Sequence, residues 1–479
     1  MDSSTQSCTV ELRDADDGRL LGTGRAPHPV TYPPRSEQHP SAWWEALRLA
    51  LAAATDQARV PVTDIDAMSV AAQCHGLVAL DAADEVIRPA KLWNDTTSAD
   101  EARELVARLG APAWVRSIGL TPTAALTISK LRWLARHEPE NLRRLRSVMV
   151  PHDWLTSRLT GRRTTDRSDA SGTGYYSAAE SRWRTDLLEE FVSDEVDWAA
   201  ALPDVLGPSE PSGTVTSAAA AELGLRPDVV VGPGGGDQHL GAVGLGLRTG
   251  DVTYSLGTSG VVLALSEAPV LDERGWVDGV ADATGAYLPL VCTLNATKVT
   301  DTVARWLGVP VTELSELALQ ADRSGPRPVL VAYLDGERSP SLPGARGLLG
   351  GLTTSTTREQ IALSAFEGVL LGLVRGEEAL RACGVPVDGT VVVAGGGGRS
   401  PAYRQVLADL TGRPVHTVDA PEATARGACV QAAAVLSGAD VRDVRDDWRP
   451  PVTSATEPSR TPVRSVRDDY TDLARWQVG

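Results

Sequence analysis

A run of valines that ends in four glycines, TVVVAGGGGRSPAYRQVLADLTGRPV at residues 390–415, constrains this chain more than any other stretch. The valines suit a buried strand, and the glycine turn leads into a helix with Ser400 as its N-cap and Pro401 at its first helical position. Strand, glycine turn and helix start together form a cradle for an anion or nucleotide, because free N–H groups point out of a helix N-terminus. Four consecutive glycines also lose more backbone entropy on folding than a plain connection warrants. The stretch matches neither GxGxxG nor the phosphate loop GxxxxGK[ST]. Of the 46 basic residues only Lys91, Lys130 and Lys298 are lysines, and none lies in a glycine-rich loop, so an anion must be held by backbone and metal.

A second valine run, VVVGPGGGDQH at residues 229–239, ends on a single carboxylate, Asp237. A carboxylate at a strand end in a bare glycine loop suits a general base that takes a proton from a substrate hydroxyl, and it equally suits a cap on the next helix. Apolar, glycine-bounded strands alternate with amphipathic helices along most of the chain, which reads as α/β. At 479 residues the chain exceeds one ordinary core. The reading is therefore two domains, residues 1–228 and 229–479, with the boundary near Asp228. Helices are expected over Ser98–Leu109 and Thr127–His137, and AMSVAAQCHGLVALD is expected to form two short strands around a turn at Gln73–Gly76. A tail from Arg449 to Pro462 is expected to wrap the surface before a short helix over Asp468–Trp476.

The net charge of −16 disfavours nucleic acid and anionic membrane as general partners. No uninterrupted apolar run approaches a membrane span. The five cysteines are scattered, with no CxxC pair and no basic, apolar leader, so a reduced cytoplasmic location is expected. No GxSxG elbow supports a hydrolase. Dimers are the commonest oligomers, which makes a homodimer the default expectation.

The chain opens MDSSTQSCTVEL, in which Cys8, Val10 and Leu12 alternate with Thr9 and Glu11 as in a half-buried strand. The turn before it, Asp2-Ser3-Ser4-Thr5-Gln6, could hold a phosphate through backbone N–H groups and a cation through Asp2. YSLGTSGVVLAL, beginning at Tyr254, can be laid over it with Thr258 matching Thr5, and there a strand over Asp251–Ser255 precedes the turn. Such a duplicated strand-turn-strand unit, one per domain, would set two phosphate-gripping turns across a cleft. Two further stretches could bind a polar substrate: Gln73, Cys74 and His75 at a strand end, and Trp93, Asn94 and Asp95 in KLWNDTT, where a flat apolar ring stands beside paired donors and acceptors.

Taken in order, these pieces resemble the FGGY family of carbohydrate kinases, and within it the xylulose kinases most closely. QCHGLVALD, RPAKLWNDTT, PHDWLTSRLTG and TDRSDASGT carry the likeness through the first half. GLLGGLTTSTTREQIALSAFE, Gly347–Glu367, is the most specific match, and there Thr356 and Glu359 are spaced as a capping box. The resemblance implies a two-domain, actin-like (ribonuclease H-like) fold with a central cleft, and ATP and Mg²⁺ as cofactors. It implies an ATP-dependent kinase of a small sugar, D-xylulose converted to D-xylulose 5-phosphate, with ribulose, gluconate or another ketose, polyol or sugar acid as alternatives. A catalytically inactive sugar or nucleotide sensor is the rival from another class.

By the same resemblance, Asp237 is the base, and Asp2, with Ser4, Thr5 and Gln6, positions the metal and phosphates. Gly257, Thr258 and Ser259 form the second phosphate turn, and Gly395, Gly396, Gly397 and Ser400 hold the adenosine. Cys74, His75, Trp93, Asn94, Asp95 and Asp237 line the sugar pocket. Cys74 departs from the methionine usual in xylulose kinases, and Thr96 from the usual glycine and arginine. Family members deliver the aspartate from a short apolar strand, whereas here Met1 immediately precedes Asp2. A translation start placed a few residues late is the expectation, with a truncated, inactive protein as the rival; loss of the strand would leave neighbouring strand edges unpaired and Asp2 on a frayed terminus.

Overall fold

The computed structural model describes residues 1–459 and 464–476. It divides into two compact units. The first comprises Met1–Leu247, Gly279–Tyr287 and Ala420–Pro450; the second comprises Arg248–Asp278, Leu288–Asp419 and the described residues from Pro451 onward.

In the first unit, β1 (Asp2–Ser3), β2 (Ser7–Arg13) and β3 (Leu20–Pro27) precede α1 (Pro40–Ala58), and β4 (Ala71–Ala72), α2 (Pro151–Thr160), β5 (Gly235–Gly236) and α3 (Asp237–Gly244) follow. The sheet runs β5-β4-β1-β2-β3. The frayed terminus expected at Asp2 is corrected here. β1 lies at the sheet centre, antiparallel to β2 with Asp2 opposite Thr9, and parallel to β4 with Asp2 opposite Ala71. Met1 and Ser3 extend that pairing through Ala71 N–H to Met1 O at 2.9 Å and Gln73 N–H to Ser3 O at 3.1 Å. The alternation read in β2 is also incomplete, since Thr9 and Glu11 are buried along with Cys8 and Val10. A central strand is covered on both faces, so period-two polarity underestimates its burial. The helix at 127–137 forms as expected, and the earlier one starts one residue late, at Ala99.

The second unit contains β6 (Val252–Leu256), β7 (Gly260–Ala264), β8 (Leu290–Thr293), α4 (Thr297–Leu307), α5 (Val311–Gln320), α6 (Arg358–Ala382), β9 (Val391–Ala394), α7 (Pro401–Thr411) and β10 (Val415–Val418). α8 (Ala423–Ser437) then joins the first unit, and β11 (Val452–Thr456) closes the second sheet, ordered β8-β7-β6-β9-β10-β11. The core gathers on α6, where Phe366 meets Tyr403 of α7 edge-on at 4.7 Å between ring centroids. The capping box of α6 is Thr357 with Gln360, one residue beyond the predicted Thr356 and Glu359.

The boundary near Asp228 is likewise displaced, to residues 247 and 248. Val230–Val231 pairs in parallel with Ala67–Met68, and β5 with β4, so the second valine run completes the first unit rather than opening the second. The predicted tail divides: 452–456 forms β11 antiparallel to β10, and residues 460–463 lie outside the described residues. The last helix spans Arg464–Arg475, longer than expected. Among the described residues, no helix is long and apolar enough to cross a membrane.

Candidate active site

In the first unit, parallel pairing of β5 with β4 sets Gly236 opposite Ala72, so the Asp237 loop and the Gln73–His75 turn leave the sheet side by side. Asp237 is the first residue of α3, and its Oδ1 accepts the Gln238 N–H at 2.8 Å and the Cys74 S–H at 3.4 Å. Burial pushes its carboxyl above the usual carboxylate range, and those two hydrogen bonds pull it part of the way back. Gln431 of α8 clamps the loop from behind, donating to Gly234 O at 3.0 Å and accepting from Gly234 N–H at 3.0 Å. A carboxyl of raised proton affinity on a clamped loop has the character of a proton acceptor.

Beneath this loop lies a buried ionic cluster that motif reading passed over. His152 Nε2 of α2 sits 3.1 Å from Asp153, 3.4 Å from Asp166 and 3.7 Å from Asp169. Burial opposes its charge, but the three carboxylates outweigh it and push His152 up to about 9. Asp169 accepts the His75 N–H at 3.3 Å, and a Cβ at Gly234, which has φ +82°, would meet His152 Nδ1 at 2.7 Å. The cluster thereby supports the Asp237 loop and the His75 turn together. PHDW and TDRSD carried the signal as charged residues in otherwise apolar stretches, but nothing in sequence indicates that they meet. Gln73, at the same strand end as Cys74 and His75, is fully buried with neither amide oxygen nor nitrogen hydrogen-bonded, as befits a group awaiting a polar ligand.

The KLWNDTT stretch divides. Trp93 is 44% exposed and donates its Nε1–H to Thr5 Oγ1 at 2.8 Å, which ties it to the turn after β1. Asn94 is half-buried, with a side-chain oxygen that has no hydrogen-bond partner. Asp95 is corrected: it is fully buried and accepts from Ser36 N–H at 2.8 Å, Lys91 Nζ at 3.1 Å and Thr97 N–H at 3.0 Å. Burial pushes its carboxyl up, but Thr97, Lys91 and Ser36 together hold it below the usual range. Asp95 therefore braces the turn that presents Trp93 and Asn94.

At the β1–β2 turn, Ser4 Oγ donates to both oxygens of Asp2, at 2.8 and 2.7 Å. The carbonyls of the turn face the protein: Ser4 O meets His28 Nδ1 at 2.8 Å, and Thr5 O accepts from Gln38 Nε2 at 3.1 Å. A trans peptide directs its N–H opposite to its C=O, so the amides of Thr5 and Gln6 point away, as an anion cradle requires. Asp2 is 8% exposed, and its carboxyl is pushed up to about 7 by burial and by Asp237. A buried carboxylate whose proton affinity is raised by a second acid fits a divalent cation as counter-charge.

In the second unit, the β6–β7 turn repeats this design. Gly257 O accepts the Thr297 N–H at 3.0 Å and Oγ1–H at 2.9 Å, and Thr258 O accepts the Ala296 N–H at 3.2 Å. The amides of Thr258 and Ser259 then face outward, with both residues exposed. Beside it, Gly395 has φ +80°, and a Cβ there would meet Leu256 O at 2.8 Å. Gly396–Arg399 forms a 3₁₀ turn before α7. Ser400 holds the N-cap position without capping; its hydroxyl lies 3.1 Å from Ser315 Oγ of α5, which accepts the Ala402 N–H at 3.2 Å. The cap is supplied by a neighbouring helix, a relation no local sequence window contains.

Residues 1–244 match the N-terminal domain of the FGGY family of carbohydrate kinases, and residues 252–436 match its C-terminal domain. The chain is 40% identical over 478 residues to the xylulose kinase of Streptomyces coelicolor, covering 99% of this chain and 96% of that one. It superposes on the crystal structure of xylulose kinase from Bifidobacterium adolescentis with a TM-score of 0.88 at 36% identity, covering 99% and 98% of the two chains. For xylulose kinase from Rhodospirillum rubrum the TM-score is 0.90 at 25% identity, covering 99% and 97%. With its two α/β units and the actin-like fold of these enzymes, this chain belongs to the FGGY family of carbohydrate kinases.

Proposed function

We propose that this chain transfers the γ-phosphoryl group of ATP to D-xylulose, giving D-xylulose 5-phosphate and ADP. The reading is carried by Asp237, a carboxylate of raised proton affinity on a clamped loop beside the Cys74–His75 turn, in a chain 40% identical to a xylulose kinase. Asp237 takes the proton of the C5 hydroxyl, that oxygen forms the new bond to the γ-phosphorus, and the bond to the β-phosphate oxygen breaks as ADP leaves. Gln73, His75, Trp93 and Asn94 orient the sugar in the first unit. The amides of the Ser4–Gln6 and Gly257–Ser259 turns hold phosphate oxygens, and the Gly395–Ser400 loop with α7 holds the adenosine. Mg²⁺, accompanying ATP and held near Asp2, would neutralise charge on the transferring phosphoryl group. No lysine occupies these loops, so backbone amides and the cation take the role of positive charge.

The test is coupled ADP release with Mg-ATP over ketopentoses, pentitols and sugar acids, comparing wild type with Asp237→Ala. D-Xylulose is expected to give turnover, reduced by about 10³-fold in the variant. Turnover on ribulose, gluconate or a polyol instead would keep the kinase and change its substrate, an outcome that Cys74 and Thr96 leave room for. ATP binding without turnover on any sugar would mark a sensor.

A further inference from the structure

The two oxygens of Asp237 are not equivalent. Oδ1 receives both the Gln238 N–H and the Cys74 S–H. The Gln238 amide belongs to the adjoining residue and moves with the loop, whereas Cys74 stands on the turn after β4 and holds the carboxylate from a separate element. The sulfur is confined on its other sides. His239 Nδ1 lies 3.9 Å from Sγ, and a Cβ on Gly236 would meet Sγ at 2.4 Å and His239 Nδ1 at 2.6 Å. Burial, followed by Asp169 and Asp237, pushes the thiol well above its ordinary value, so the sulfur keeps its proton and acts as a donor. A thioether in this place could accept but not donate.

We propose that Cys74 is a positioning residue for the base: its S–H holds Oδ1 of Asp237 and leaves Oδ2 as the atom that takes the proton from the sugar hydroxyl. This assignment rests on the kinase reading of the same site. Cys74 itself touches no bond that is made or broken.

The experiment pairs kinetics with infrared spectroscopy on the full chain. Cys74→Ala and Cys74→Met are expected to lower kcat about five- to ten-fold, the effect of one hydrogen bond from a weak donor, with KM for ATP unchanged. Cys74→Ser, which keeps an O–H donor, is expected to recover most of that loss. A wild-type kcat in Cys74→Ala, or a loss in Cys74→Ser as large as in Cys74→Ala, would overturn the proposal. The wild-type minus Cys74→Ala spectrum isolates one S–H stretch, expected at the lowered frequency of a hydrogen-bonded thiol and returning to the free-thiol position in Asp237→Ala. The two failures are separable: a wild type with no turnover on any sugar removes the kinase reading, and a free-thiol band in the wild type removes the positioning contact.

Discussion

The β1–β2 and β6–β7 hairpins follow one plan in two different units. In each, the first strand is antiparallel to its hairpin partner and parallel to a strand, β4 or β9, that runs on into a site loop. In each, the turn's carbonyls are held against protein, so its amides face outward. They differ in length, with four residues linking Ser3 to Cys8 and three linking Leu256 to Gly260. They differ in charge as well, since Asp2 has Ser255 as its counterpart. One backbone plan thus leaves outward amides in both units, and a single carboxylate sets one copy apart; in the proposed reading both turns grip phosphate and only the first also holds a cation. That carboxylate is also the less stable choice without a cation, because Asp2 is buried beside another acid.

Removing the difference should have the largest effect. Asp2→Asn is expected to lower kcat by about 10²-fold or more. In metal-free buffer it should also melt higher than wild type near neutral pH. The sign follows from a folded pKa of about 7 against 3.8: the carboxyl's contribution to stability is fully present below about pH 4 and is lost as pH rises toward 7. The gap in melting temperature should therefore close on acidification, and also on adding Mg²⁺ to wild type. A pH-independent gap would mean that Asp2 does not titrate in this range.

Making the hairpins alike in the opposite sense is the next step. Ser255→Asp would put a carboxylate near the phosphates and is expected to raise KM for ATP about ten-fold, with KM for sugar little changed. An unchanged KM for ATP would remove the second turn from the nucleotide site.

Gly395→Ala tests the loop beside that turn, where an added Cβ meets Leu256 O in a left-handed backbone. A loss of about 1–3 kcal/mol, read by denaturant unfolding together with weaker ATP binding, is expected. The smallest effect belongs to Thr258→Val, about three-fold or less on KM for ATP, because the outward amide and not the hydroxyl carries the grip. A ten-fold change there would assign the grip to the side chain.

Much of this was legible locally. The duplicated hairpin showed through a short echo because glycine and hydroxyl residues recur where a turn must leave its amides unobstructed. Asp237 drew notice as a lone carboxylate after bare glycines at a strand end, a place that suits a base and a helix cap alike. Asp95 misled because Trp-Asn-Asp reads as a sugar strip, while the third residue turns inward to Lys91, a partner that only the fold reveals. Ser400 misled in the same way, since its capping partner Ala402 N–H is taken by Ser315 from 87 residues away.

By itself, the sequence determined the element types, the glycine loops and the residues able to do proton and phosphate chemistry, because these depend on backbone freedom and side-chain identity within a few neighbours. Tertiary structure alone decided that Met1–Ser3 sits at a sheet centre, that Gln431 clamps the Asp237 loop, and that His152 meets three carboxylates. The same holds for Cys74 and Asp237, 163 residues apart and brought within one hydrogen bond. Such pairs are set by how strands register in a sheet, and register is a long-range property that no short window of residues encodes.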